Sequence, residues 1–519
     1  MGRFCFLVVL MVATLIPSGG WSQPVQGPET LQALRDRLSE LVGEPKFNGA
    51  LWGVKVASLD TGRTLFEHNP QKLLSPASNS KLYTIGLALD RLGCDHRIRT
   101  SLYARARPDK KGRIHGDLVV FGRGDPTFNA RSHGDLDQAF DQLASSLAAA
   151  GVRRVSGSIV GDGSYFRGPA LGSGWAWDDA QEYYGAEISA LTVNDNVVDM
   201  EVLPAASPGK PCVVVLRPVT SVIVVSNRTC TGAAGTKSGI QLQREPGSNR
   251  VLVSGGVAVG ESPYKTVVTV HHPAALFLEL LRKAMQRKGI KVDGPPVVKD
   301  WEPGQTSSCE REGWAELGGV DSPTMAELAR EVQKPSQNLY TDLLLAHVGE
   351  QGRGDQAGTS EDLGIRELNR FVKRVGLAPG DVQFEEGSGL SRNNLTTARA
   401  TVDLLRHMWR HPASEAYVSA LPVAGVDGTL RNRFKNTAAA GNMRAKTGTL
   451  RWASSLSGYI KSESGEQLVF SLMLNRYASH DPASTARLEL DRLGVLLATF
   501  RGRSSEDSPV EGGKIPPAQ

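Results

Sequence analysis

Ser78 and Lys81 lie three residues apart in Pro76-Ala77-Ser78-Asn79-Ser80-Lys81, just ahead of an apolar stripe at helical spacing: Leu82, Ile85, Leu89 and Leu92. Positions three apart on a helix share a face. That face carries Leu82 and Ile85, so it turns Ser78 and Lys81 inward at the helix start. Burial disfavours an ammonium ion, lowers the lysine pKa and leaves a neutral amine able to take the serine proton. The helix N-terminus adds N–H groups and positive dipole where an oxyanion would form. Ser-x-x-Lys alone recurs by chance and needs company to mean catalysis.

The company is present. Lys446-Thr447-Gly448 precedes a hairpin in a segment that reads as an edge strand. Lys446 offers a fixed cation for a carboxylate, Thr447 a hydroxyl, and Gly448 room for a ligand backbone. Ser336-Gln337-Asn338 precedes the helical run LYTDLLLAHVG and offers a hydroxyl and a carboxamide. In the order Ser-x-x-Lys, Ser-x-Asn, Lys-Thr-Gly, these form the set of penicillin-binding proteins and serine β-lactamases. Ser78 and Ser336 are 258 positions apart and Ser336 and Lys446 are 110 apart. The long first gap resembles the low-molecular-mass class C penicillin-binding proteins, the D-alanyl-D-alanine carboxypeptidase/endopeptidase family. The resemblance extends to PASNSKLYT (76–84), GDPTF (124–128), YGAEISALTVNDN (184–196), EGSGLSRNN (386–394) and LPVAGVDGTL (421–430), and covers about residues 30–500. Glu386 departs from the Asp usual there, which bears on the geometry of that loop alone.

The resemblance implies a role for each residue. Ser78 would be the acylated nucleophile and Lys81 its base, further depressed in pKa by Lys446. Ser336, backed by Lys446, would pass a proton to the leaving amine. Asn338 would orient the peptide, Lys446 and Thr447 would hold its carboxylate beside Gly448, and the N–H groups of Ser78 and Thr449 would form the oxyanion hole. The implied activity is a serine D-Ala-D-Ala carboxypeptidase on peptidoglycan peptides, with endopeptidase action open, inhibited covalently by β-lactams and using no metal or cofactor. A serine β-lactamase and a catalytically silent wall-binding homologue are the alternatives.

The elements that must position these groups follow from periodicity. Residues 29–43 read as a helix ending at Gly43; Val54 and Val56, a turn at Asp60-Thr61-Gly62 and Thr64–Phe66 read as a hairpin. Further helices are expected at 324–349, 361–376, 397–411 and 482–500, with a second hairpin at 456–460 and 468–474. A hairpin and helix near each end imply an α/β (α+β) domain of the penicillin-binding/β-lactamase-like transpeptidase kind, built from 23–102 and 296–501. Between them, 103–295 has short Val/Ile/Leu runs between turn residues and reads as an inserted, mostly β region closed by a helix at 274–288. From Gly502 to 519 no apolar period survives, and the tail is expected to be disordered.

Residues 1–22 carry Arg3, an apolar run of about 13 residues and small residues before a cleavage point, a secretory signal peptide too short for a membrane span. Export, with a periplasmic or other extracytoplasmic location and no transmembrane segment after cleavage, is the expectation. In an oxidising compartment Cys94, Cys212, Cys230 and Cys309 allow three pairings; the Val-rich segments between Cys212 and Cys230 favour a hairpin closed by that disulfide. A net charge of +5 on 519 residues is too dilute for nucleic-acid binding. His407 and His411 lack the Glu of a zinc peptidase helix, His271-His272 lack metal spacing, and no nucleotide-binding glycine motif occurs.

Overall fold

The computed structural model describes residues 27–303, 313–479 and 481–506. The expected signal peptide and Cys309 lie outside them. Both ends of the chain build one antiparallel sheet, with strands in the order Arg444–Leu450, Ala453–Lys461, Gln467–Asn475, Leu51–Ser58 and Thr64–His68. The seam between the two halves runs without interruption, from Leu51 opposite Asn475 to Ser58 opposite Leu468. Two-residue alternation sends Val54, Val56, Phe470 and Leu472 to one face, where they cluster with Leu34 and Leu38 of helix Leu31–Val42 and Leu493 and Leu497 of helix Ala486–Ala498. Ala57, Tyr459 and Val469 turn to the opposite face. There Leu82 and Ile85 of helix Ser80–Leu92, Leu343 and Leu344 of helix Asn338–Gln351 and Leu405 of helix Ala398–Arg410 form a second core. Catalytic candidates therefore sit where a helical layer meets one edge of a sheet covered on both faces.

The helix expected over 324–349 is two helices, Met325–Gln333 and Asn338–Gln351. Pro335 has no N–H to continue the ladder, and Ser336 takes a left-handed backbone, φ 66°. The break leaves Asn338 as the first residue of a new helix.

The inserted region has its own core, reaching from Leu102 to Leu317. Its main sheet runs Pro296–Lys299, Ile159–Asp162, Leu118–Phe121, Arg99–Ala104, Ala315–Asp321. The first three strands are mutually parallel, and parallel neighbours need a crossover; helix Leu136–Ala149 supplies one. That helix, with Phe140, Leu143 and Leu147 buried and Asp135 capping Gln138, corrects the reading of its stretch as strands and turns. The limits 103 and 295 also fall short at both ends. Strand Ala315–Asp321 (AELGGVD) has no alternating apolar signal, pairs with a segment more than two hundred residues away, and places Gly318 so that a side chain there would strike Ser146. The insertion also holds a short parallel sheet of Lys291–Val292, Arg154–Val155 and Arg113–Ile114, and two larger three-stranded sheets: Val224–Thr229, Arg250–Gly256, Gly239–Arg244, and Tyr264–Thr269, Val197–Leu203, Val213–Arg217.

Those two sheets overturn the Cys212–Cys230 disulfide. The segments after Cys212 and before Cys230 belong to different sheets and form no hairpin, and both thiols are free. Thr229 accepts from the Cys212 N–H and Thr231 meets the Cys212 Sγ. In extended chain the intervening Cys230 faces the other way and is exposed. Cys94 is free as well. At the other end, order continues past Gly502: the buried Ser504 donates both its N–H and hydroxyl to Glu466. The tail beyond 506 lies outside the described residues.

Candidate active site

Ser78 sits in a single 3-10 turn, Ala77–Asn79, that runs into helix Ser80–Leu92. Ala77 has φ 47°, a left-handed backbone that a side chain disfavours, so neighbours must hold it. They do. Ser455 donates to the Pro76 carbonyl (2.7 Å) and Asn79 donates to Ser457 (2.7 Å), both on strand Ala453–Lys461. Gly448 lies so close that a Cβ would meet the Pro76 carbonyl at 2.5 Å and the Ser455 hydroxyl at 2.2 Å. Gly448 therefore makes room for the protein's own nucleophile turn, where the sequence suggested room for a ligand.

Lys81 is fully buried, and its amine reaches Ser78 Oγ at 3.0 Å, Asn338 Oδ1 at 2.6 Å and the Ser388 carbonyl at 2.6 Å. Burial lowers its pKa to about 8, against the opposing pull of Asp342 and Glu386. A neutral amine has two hydrogens and one lone pair. With Asn338 and Ser388 taking the hydrogens, the lone pair is left for the Ser78 hydroxyl, the geometry of a general base.

Lys446, also fully buried, donates to Ser336 Oγ (2.7 Å) and to the Thr447 carbonyl (2.8 Å). Thr447 donates to Thr429 (2.8 Å), and Gly448 and Thr449 follow on the same edge strand, Thr449 exposed and paired with Ser454. Burial first, then the charge of Lys81, depress the Lys446 pKa well below that of a free lysine. Repulsion between the two ammonium groups opposes charging both lysines at once, and Lys81 alone has carboxylates, Asp342 and Glu386, acting against its burial.

Several contributors lie outside the three short motifs. The Ser388 carbonyl is set by Glu386, which is buried and accepts from Ser388, Gly389 and Asn394. Asp342 stands one helical turn after Asn338 and accepts from the Gly387 N–H at 3.0 Å. An aspartate inside the apolar run LYTDLLLA, four residues from Asn338, was the available clue. The inserted region also reaches the site. The Tyr184 carbonyl accepts from Asn338 Nδ2 (2.9 Å), and Tyr340 is gripped by Asn129, Arg131 and Asp195. The blocks GDPTF and YGAEISALTVNDN are thus the docking segments that flank this grip. LPVAGVDGTL has a like purpose: Asp427 holds Lys334 (2.6 Å), and Gly428 packs on the Lys334 carbonyl, bracing the turn that carries Ser336.

The sheet-and-helix architecture with a serine, two buried lysines and a second serine on facing elements defines a penicillin-binding, β-lactamase-like serine hydrolase. Within that class, residues 34–495 match the model of the D-Ala-D-Ala carboxypeptidase 3 (S13) family, and the chain belongs to that family. It is 34% identical over 503 residues to the D-alanyl-D-alanine carboxypeptidase of Actinomadura sp. (strain R39), covering 93% of this chain and 88% of that protein. It is 24% identical over 442 residues to D-alanyl-D-alanine carboxypeptidase DacB of Haemophilus influenzae, covering 85% and 88%. The fold matches the crystal structure of penicillin binding protein 4 (dacB) from Haemophilus influenzae with a TM-score of 0.74 at 22% identity, over 88% of this chain and 97% of that one. None of the helices among the described residues is long and apolar enough to cross a membrane.

Proposed function

We propose that this serine-type D-Ala-D-Ala carboxypeptidase works through an acyl-enzyme on Ser78, with peptidoglycan stem peptides as substrate. The observation that carries the reading is the buried Lys81 amine 3.0 Å from Ser78 Oγ. Ser78 Oγ attacks the carbonyl of the penultimate D-Ala as its proton passes to Lys81. The N–H groups of Ser78 and Thr449 receive the oxyanion, and Ser336, on the Lys446 amine, relays the proton taken up by Lys81 to the departing D-Ala nitrogen, which returns Lys81 to the neutral amine. Lys446 and Thr447 hold the terminal carboxylate while Asn338 orients the peptide. Water then releases the acyl group with Lys81 again as base. Cross-linked peptides present the same D-Ala carbonyl, so endopeptidase action needs no further chemistry. The leader-like residues 1–22 support export to the periplasm or another extracytoplasmic space.

Benzylpenicillin should add covalently, and peptide mapping of the intact-mass adduct should place it on Ser78. An adduct on Ser336 would sink the assignment, and Ser78→Ala should take up none. Following the adduct over time separates this reading from a β-lactamase, which would shed it rapidly.

A further inference from the structure

A cavity of about 240 Å³ opens between the inserted region and the helical layer. The inserted region lines it with Phe166, Ile188 and Trp301, and the helices line it with Asp342, Ala346 and Glu361. Asp342 is only 2% exposed. Its Oδ1 takes the Gly387 N–H, but its Oδ2 has no hydrogen-bond partner, since the nearby Ser388 hydroxyl is committed to Glu386. A buried carboxylate oxygen without a partner carries a desolvation cost that a ligand can remove.

The other charged groups on the wall are partly satisfied. Glu187 is held by His271 and the His272 N–H, Asp300 by His272, and Glu361 takes the Ser173 hydroxyl and N–H. Four carboxyl side chains face Arg167 and His272, so the balance favours a cation. Among the described residues no group of three ligating side chains could hold a metal ion, and the apolar walls suit a ligand with a hydrocarbon body.

We propose that this cavity binds a small primary amine with an apolar body, its ammonium donating to Asp342 and Glu361. Burial already keeps Asp342 and Glu361 reluctant to ionise, Glu361 to about 7, and an arriving ammonium would be the missing counter-charge. Lys81 and Glu386 also act on Asp342 through charge.

The probe is D-alaninamide, titrated calorimetrically into the Ser78→Ala protein, which cannot turn over. Saturable 1:1 binding is expected, with N-acetyl-D-alaninamide silent because it has no ammonium. Asp342→Asn should weaken binding about tenfold or more, as expected for loss of a charge-assisted hydrogen bond. Ala346→Phe, which fills the cavity one helical turn from Asp342, should abolish it, and Glu361→Gln should weaken it. A cooperative thermal transition verifies that each variant folds. Absence of saturable binding, equal binding of the acetylated probe, or binding undiminished in Ala346→Phe would overturn the proposal. The measurement needs no acylation, so it stands or falls separately from the Ser78 chemistry.

Discussion

The two halves of the site each bury a lysine completely, yet they surround it differently. Lys81 has Asp342 and Glu386 pulling its pKa back up, and it settles at about 8. For Lys446 the charge of Lys81 pushes the same way as burial. Burial alone would make both lysines poor cations; the carboxylates decide which is tuned near working pH. Lys81 is thus poised to give and take a proton, whereas Lys446 lacks a counter-charge that a substrate carboxylate would supply.

Swapping the base breaks the comparison most severely. Lys81→Arg keeps a cation that cannot deprotonate, and benzylpenicillin acylation should fall by about 10²–10⁴-fold; acylation near the wild-type rate would remove Lys81 from that role. Lys446→Ala should lower kcat/KM on a D-Ala-D-Ala peptide about ten- to a hundred-fold. The sharper reading compares that peptide with its C-terminal amide: wild type should discriminate strongly, Lys446→Ala hardly at all. Equal discrimination by both proteins would restrict Lys446 to Ser336.

A smaller effect tests the carboxylates. Wild-type acylation should rise with pH and level off above about 8, as Lys81 loses its proton. Asp342→Asn removes an influence that raises the Lys81 pKa, so its acidic limb should move to lower pH. Glu386→Asp draws the carboxylate back from the Ser388, Gly389 and Asn394 donors and should cost about 1–3 kcal/mol of stability, read from thermal unfolding. A limb that stays put in Asp342→Asn would show that Asp342 does not act on the amine. The smallest signal is proton uptake. Burial lowers the Lys446 pKa and a bound carboxylate would raise it, so the carboxylate-ended peptide should bind the Ser78→Ala protein with more proton uptake than the amide. Calorimetry in two buffers of different ionisation enthalpy reads this directly.

Local chemistry was the legible part. Ser78 and Lys81 share a face by helical spacing, Ser336 and Asn338 straddle a helix start, and Lys446 to Thr449 occupy one strand. Amphipathic stripes located helix Leu31–Val42 and helix Ser360–Val375 to within two residues. What failed shares a cause. The Cys212–Cys230 pairing assumed that neighbours in sequence pair in space, but the two segments joined different sheets. Strand Ala315–Asp321 was invisible because its partner lies across the whole insertion.

The sequence by itself determined which groups could react and in what order they occur, because side-chain identity and helical or strand period are local properties. Only the tertiary structure decided what surrounds Lys81. The Ser388 and Tyr184 carbonyls are main-chain atoms that every residue possesses, so no residue type announces them. Asp342 and Glu386 are carboxylates whose influence depends on a distance and a degree of burial set by packing three separate segments together. Charge acts through space rather than along the chain, and the pKa that makes a lysine a base is therefore a property of the fold.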